Sequence, residues 1–212
     1  MQRKILLICG ILSSVLYVVT DLLASWWYKG YSLLDQNYSE LLATGAPTRP
    51  SMLLVSFMYN LLVAVFAVGV WTTASPKRTA HITGAAMLGY AVLSMITPLF
   101  FQMDMRGAQI TPLGSLHPPM TVVMSVFILL SIGFGGNLLG KGFRIYSFVT
   151  IASLLVFGGL TALQAPQLEA GQSTPWMGFT ERINIYATML WFGLLSVTLL
   201  RVEGWQTAAL QN

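Results

Sequence analysis

Charge is what this chain has least of. Asp, Glu, Lys and Arg make up only 8% of its 212 residues, where soluble domains carry about a quarter. So few ionised groups cannot clothe a water-exposed surface, and hydrocarbon is the solvent that fits. Thiols are almost missing as well. Cys9 is the single cysteine, which excludes a disulfide framework, a CxxC pair or a thiolate metal site within one chain. The histidines, His81 and His117, are two in number, and the topology derived below puts them on opposite faces of a membrane. A catalytic zinc wants three nitrogen, sulfur or oxygen ligands, so neither a metal nor another cofactor is expected. GxSxG, HExxH, P-loop and GxGxxG signatures do not occur. The net charge of +4 is scattered through short loops, not gathered into a basic patch, so nucleic acid is not an expected partner.

What the sequence does contain is long apolar runs. A bilayer core about 30 Å thick needs about 20 apolar residues per helix. Stretches at 5–26, 51–72, 80–101, 119–139, 143–164 and 181–200 meet that length and show no strand-like alternation. The expected fold is therefore all-α, a single six-helix transmembrane domain over 1–212. Residues 2–24 could pass for a signal peptide, but the run has the length of a full span, contains Asp21 and is followed by no small-x-small site. The spans are separated by recognisable breakers. Pro47 and Pro50 precede the second, Ser75-Pro76 ends it, and Pro118 and Pro119 sit in the first turn of the fourth. Gly140 and Gly142 form a tight turn, and Pro175 precedes the sixth with Thr180 placed to cap it. Pro98 falls inside the third span and is expected to kink it.

Basic residues set the orientation. With the N-terminus in the cytoplasm, the inner side holds Arg3, Lys4, Lys77, Arg78, Lys141, Arg144 and Arg201, and the outer side holds Lys29, Arg49, Arg106 and Arg182. Both termini are then cytoplasmic, in a multi-pass protein of the cell (inner) membrane. Trp26, Trp27 and Trp176 fall near the outer interface and Trp71 and Trp205 near the inner one, as an aromatic belt does. Acidic residues are asymmetric in the other sense: Asp21, Asp35, Glu40, Asp104, Glu169 and Glu181 fall outside and only Glu203 inside. The outer loops, 27–50, 102–118 and 165–180, are also the long ones. Polar chemistry is therefore expected at or just below the outer face.

Asp21 is the most informative residue. Gly10, Ser14, Tyr17 and Asp21 share one helix face by their spacing, and a charge inside a span faces the protein interior or a wet cavity. A ligand or proton site and a structural salt bridge to an arginine are the two accounts of it. Glu181, Asn184 and Thr188 form a second polar face, with Glu181 expected in the first turn, where it complements the helix dipole. Arg182 is unfavourable there, which predicts a carboxylate partner. His117 stands at the entrance to span four, where the dipole favours a neutral ring near pH 7, fit to act as a base, with Asp104 and Arg106 nearby in sequence. Asn60, Tyr90, Ser94, Thr97, Thr121, Ser125, Tyr146, Thr150 and Ser153 either line a cavity or pack helices. The dispersed methionines read as core filler.

Three segments together resemble a known family. They are Tyr31-Ser32 through Tyr38-Ser39-Glu40-Leu41 to Gly45-Ala46-Pro47-Thr48-Arg49, then Asp104-x-Arg106-Gly107 with Thr111-Pro112-Leu113-Gly114-x-x-His117, and Glu181-Arg182. Their order is similar to that of the bacterial and archaeal membrane family catalogued as domain of unknown function 998. The resemblance spans nearly the whole chain and implies six helices with polar positions on the outer side. It supplies no activity, and it marks Ser39, Glu40, Arg49, Asp104, Arg106, His117, Glu181 and Arg182 as candidates.

Three functions follow from these residues. The first is a binding protein whose outer-face pocket takes a lipid headgroup or small anionic ligand, using Asp21, Glu40, Arg49, Asp104, Arg106, His117, Glu181 and Arg182; arginines suit phosphate and carboxylate. The second is a lipid-modifying hydrolase or transferase with Asp104, Glu181 and His117 as acid and base. The third is a small-molecule transporter, against which stands the lack of matched Gly/Pro interruptions in two halves. Membrane lipid is the expected partner throughout, and oligomeric state is not encoded in these features.

Overall fold

In hydrocarbon every backbone N–H and C=O must be satisfied within the chain, and a helix does this segment by segment. The computed structural model of the protein describes residues 2–73 and 78–209, and among these there are helices and no strand. The helices are α1 (Gln2–Trp27), α2 (Arg49–Trp71), α3 (Arg78–Phe100), α4 (His117–Gly135), α5 (Lys141–Ala162), a short α6 (Ala165–Glu169) and α7 (Met177–Ala209), with 3₁₀ turns at Tyr38–Leu42 and Gly114–Leu116. Six of them are long and apolar enough to cross a membrane, and they match the six expected spans.

Several boundaries differ from the expectation. α7 begins at Met177, so Thr180 is not its cap; the hydroxyl turns back to the carbonyls of Trp176 and Met177 at 3.1 and 3.0 Å. Glu181 consequently lies beyond the first turn, where the dipole acts weakly. The earlier start has a local cause. Trp176 adopts a left-handed φ of 67°, and its N–H is held by Asp35 Oδ1 at 3.1 Å, which turns the chain into the helix immediately after Pro175. Pro50 stands in the first turn of α2, not before it, and Gly142 belongs to α5, with Gly140 alone at its N-cap. Pro118 and Pro119 occupy the first turn of α4 as expected, and Pro98 lies inside α3 near its end. The Ser75-Pro76 break, Lys77 and the Trp205 side chain lie outside the described residues.

The bundle has a turn end and a loop end. The start of α1 and the end of the last span are at the turn end, where Arg3 and Glu203 approach to 2.5 Å. The helices form a ring in the order α4, α3, α2, α1, α7, α5. Its core is filled from α2 by Tyr59, Val63 and Phe66, from α4 by Ile128 and Ile132, and from α7 by Trp191, Phe192 and Leu195. Between transmembrane helices this packing is a gain in van der Waals contact more than an escape from water. Trp191 shows the close fit: its indole N–H donates to Ser147 Oγ at 2.9 Å, and a Cβ on Gly135 would fall 2.6 Å from its ring.

The ring does not close evenly. α4 and α5 meet beside their connecting turn, where a Cβ on Gly136 would lie 2.8 Å from Ser147 and one on Gly133 3.8 Å from Ile151. Towards the loop end α4 stays on α3, with Gly89 against Phe127 and Thr97 Oγ1 3.9 Å from Met124 Sδ. α5 stays on α7, with Gly158 against Asn184 and the Thr161 and Thr180 hydroxyls 2.8 Å apart. The two helices therefore diverge. Ile128, Ser131, Ile132, Gly135, Ser147 and Thr150 are buried, but no residue of 117–127 or 151–162 is.

Candidate functional site

The polar residues of the loop end form a cap over the bundle. The cap is held first by Arg182. Its Nε and Nη2 reach Asp21 Oδ2 and Oδ1 at 3.0 and 2.9 Å, a bidentate pair between α7 and α1. Nη1 donates to the carbonyls of Leu33 and Gln36, both at 3.0 Å, and Nη2 also to Tyr31 Oη at 2.8 Å. Tyr186 donates its hydroxyl to Asp21 Oδ2 at 2.6 Å. Asp21 is fully buried and faces the bundle, and the predicted carboxylate partner of Arg182 is Asp21 itself. Gly178 permits this arrangement: a Cβ there would collide with the carbonyl oxygens of Gln36 and Leu33, the ones the guanidinium binds.

Glu40 and Arg106 make the second knot. Asn37-x-x-Glu40 is a capping box on the 3₁₀ turn, in which Asn37 Oδ1 accepts from the Glu40 N–H at 3.0 Å and Glu40 Oε1 from the Asn37 N–H at 3.1 Å. The same carboxylate receives Arg106 Nε and Nη2 at 3.1 and 2.7 Å, and Arg106 Nη1 continues to the Gln172 carbonyl at 2.7 Å. One side chain thus ties all three long loops together. Gly107 and Gly171, both at positive φ, lie beside it, and a Cβ on Gly171 would fall 2.8 Å from Gly107 Cα. Arg49 donates to the Leu42 carbonyl and, at 3.0 Å, to that of Pro98, so it satisfies acceptors at the ends of the 3₁₀ turn and of α3.

Asp104 and His117 are engaged separately. Asp104 accepts from the Thr111 N–H at 2.8 Å and closes its own loop. His117 Nδ1 lies 2.8 Å from the Phe101 carbonyl. The convergence of Asp21, Asp104, Arg106, His117, Glu181 and Arg182 in one pocket is thus resolved into distinct contacts, each with its own protein partner. Ser39 lies within the 3₁₀ turn.

Glu181 differs from the rest. It shares a face of α7 with Ile185, Thr188 and Phe192, which pack into the core, and so points into the ring. One oxygen accepts from the Tyr38 N–H at 2.5 Å. Tyr38 itself belongs to a chain of aromatic rings that the sequence did not identify as a group. Tyr38 reaches down from the 3₁₀ turn and stacks on Tyr17 with centroids 4.7 Å apart, Tyr17 meets Tyr59 edge-on at 4.8 Å, and the Tyr59 and Tyr90 hydroxyls are 3.0 Å apart. Tyr17, Tyr38, Tyr90 and Glu181 face inward yet stay partly exposed, as walls of a recess do, while Tyr59 is buried behind them. Burial pushes the hydroxyls of Tyr31 and Tyr38 upward, opposed at Tyr31 by Arg182 and at Tyr38 by the bond with Tyr17, so both stay protonated as donors. The signal available in sequence was Tyr17, on the same helix face as Asp21. Tyr38 comes from a loop and Tyr90 from a distant span, so their meeting had none. Two surface depressions are present, one of about 310 Å³ beside Trp27 and Pro47 and one of about 340 Å³ lined by Leu22, Phe179, Arg182 and Tyr186.

Of the other mid-span polar groups, Thr97, Thr121, Ser125 and Thr150 return their hydroxyls to carbonyls of their own helices, the packing alternative. Comparison with known proteins finds one family model, described as "Protein of unknown function (DUF998)", matching residues 11–198. No curated protein and no solved structure matches.

Proposed function

The chain belongs to the DUF998 family, whose function is unknown, and we propose that it is a membrane-embedded binding protein for an amphiphile such as a membrane lipid. The ligand lies in the recess at the loop end of the bundle and enters sideways from the bilayer between α4 and α5. One observation carries this reading: those two helices are unburied over the same half in which inward-facing Tyr17, Tyr38, Tyr90 and Glu181 keep partial exposure. Trp191 and Phe192 form the floor, and the loops tied by Arg106 and Arg182 form the roof. In this account Asp21, Glu40, Arg49, Arg106 and Arg182 build the roof, and Glu181 with the tyrosines meets the ligand. The positive-inside bias puts the roof on the outer side of the cell membrane.

The saturation of Arg182 by a carboxylate and backbone carbonyls weighs against a headgroup held by guanidinium. The separate anchoring of Asp104 and His117 weighs against a preassembled acid–base pair with Glu181.

Photoreactive phospholipid, with the reactive group in its acyl chain, tests the reading in reconstituted bilayers. Adducts are expected on inward-facing Tyr90 and Ile185 as well as on outward-facing Val122, Val149 and Leu155. Labelling confined to the outward set refutes an occupied recess.

A further inference from the structure

Resting on the amphiphile-binding reading, we propose that the ligand's polar end is a cationic amine and that Glu181 is its counter-ion. The argument is one of charge and hydrogen-bond balance inside the loop-end half of the bundle. Asp21 and Arg182 neutralise one another through two parallel bonds, as do Glu40 and Arg106. Glu181 has no such partner. Among the described residues it forms no ion pair, and its one hydrogen bond there is from the Tyr38 N–H to one oxygen. Its neighbour Arg182 turns every N–H bond it makes toward Asp21, Ser25, Tyr31 and backbone carbonyls. A carboxylate facing the interior of a membrane bundle is costly without a cation, and a cationic ligand would supply one.

The lining suits that charge. Tyr17, Tyr38 and Tyr90 supply aromatic faces, which attract ammonium groups through the ring quadrupole. Asn184, one turn along α7 from Glu181, holds a buried carbonyl oxygen without a donor, at the point where Gly158 lets α5 come close. The unfilled position on Glu181 is therefore an acceptor, and a ligand that fits it brings an N–H donor. A phosphate or carboxylate would meet a like charge with the guanidinium donors already spent. An amine-bearing lipid headgroup and a free lipophilic amine share the required chemistry.

Isothermal titration of the purified protein in dodecyl maltoside, using hexylamine, hexanol and hexanoate, separates head from chain. Hexylamine is expected to bind at least about tenfold more tightly than hexanol, with hexanoate weaker still, and Glu181→Gln removes that margin. Native mass spectrometry after extraction from mixed phosphatidylethanolamine and phosphatidylglycerol bilayers distinguishes the sources. Selective retention of phosphatidylethanolamine, lost in Glu181→Gln, identifies a lipid. Hexylamine binding without that retention identifies a free amine. The head-group series on the unmodified protein decides the matter even where the variant fails to fold. Equal binding of all three hexyl compounds overturns the amine and leaves the amphiphile site standing, and binding of none of them, together with no inward photolabel, overturns both.

Discussion

Replacing either member of the Asp21–Arg182 pair should destabilise the protein by an amount set by burial. Their side chains are 0% and 7% exposed. That places the pair in the regime where removing one partner strands the other, at a cost of about 3–5 kcal/mol, and not in the surface regime of at most about 1 kcal/mol. Asp21→Leu leaves a guanidinium that keeps the Leu33 and Gln36 carbonyls and Tyr31, so it belongs at the lower end. Arg182→Leu strands the Asp21 carboxylate and also releases both carbonyls, so it belongs at or beyond the upper end. At about 2–4 °C per kcal/mol for a chain of this size, the losses in Tm are roughly 6–12 °C and roughly 10–20 °C or more. The double variant leaves no unpaired charge, so it should fall short of the sum of the singles by about 2–3 kcal/mol. Circular dichroism melts in detergent, with all four proteins compared, measure this. Additive single effects, or an Asp21→Leu protein within about 0.5 kcal/mol of the parent, would refute the pair as the clasp between α1 and α7.

Two further outcomes follow from the cap and the topology. Arg106→Gln deletes the bonds to Glu40 and Gln172 but no core contact; it should raise amide exchange in residues 102–113 and 170–175 severalfold and shift Tm by less than about 5 °C, and protection equal to the parent's would remove Arg106 as the tie. A phosphatase fused in the loop near residue 110 should be active outside the cell while a fluorescent protein fused at the C-terminus glows inside, and the reverse pair would invert the proposed orientation.

The clasp and the cap were legible in the sequence to different depths. Arg182 near the start of the last span asked for a carboxylate, because a cation is unfavourable at a helix N-terminus, and Asp21 on the face of Gly10 and Tyr17 asked for a polar partner. The spacing could not show that the partner of each was the other, since they lie 161 residues apart. For Glu181 only the expected first-turn dipole role fails, because α7 starts at Met177, a boundary fixed by the Trp176 turn and its bond to Asp35 in a different loop. The arginines were read as a pocket for anions. The fold uses them for protein carboxylates and carbonyls, because loops lying over a bundle leave backbone acceptors that need donors.

Composition by itself determined the solvent and, through it, the architecture. So few charges exclude a wetted surface, hydrocarbon demands internally bonded backbone, and six runs of span length can then only be six helices. Which helices touch was decided in three dimensions, by where glycines and hydroxyls let neighbours approach. Gly136 and Ser147 join α4 to α5 at one end, while Phe127 on Gly89 and Thr161 on Thr180 draw them apart at the other. The proposed recess, with Glu181 facing it, depends on that divergence, which no one-dimensional pattern records.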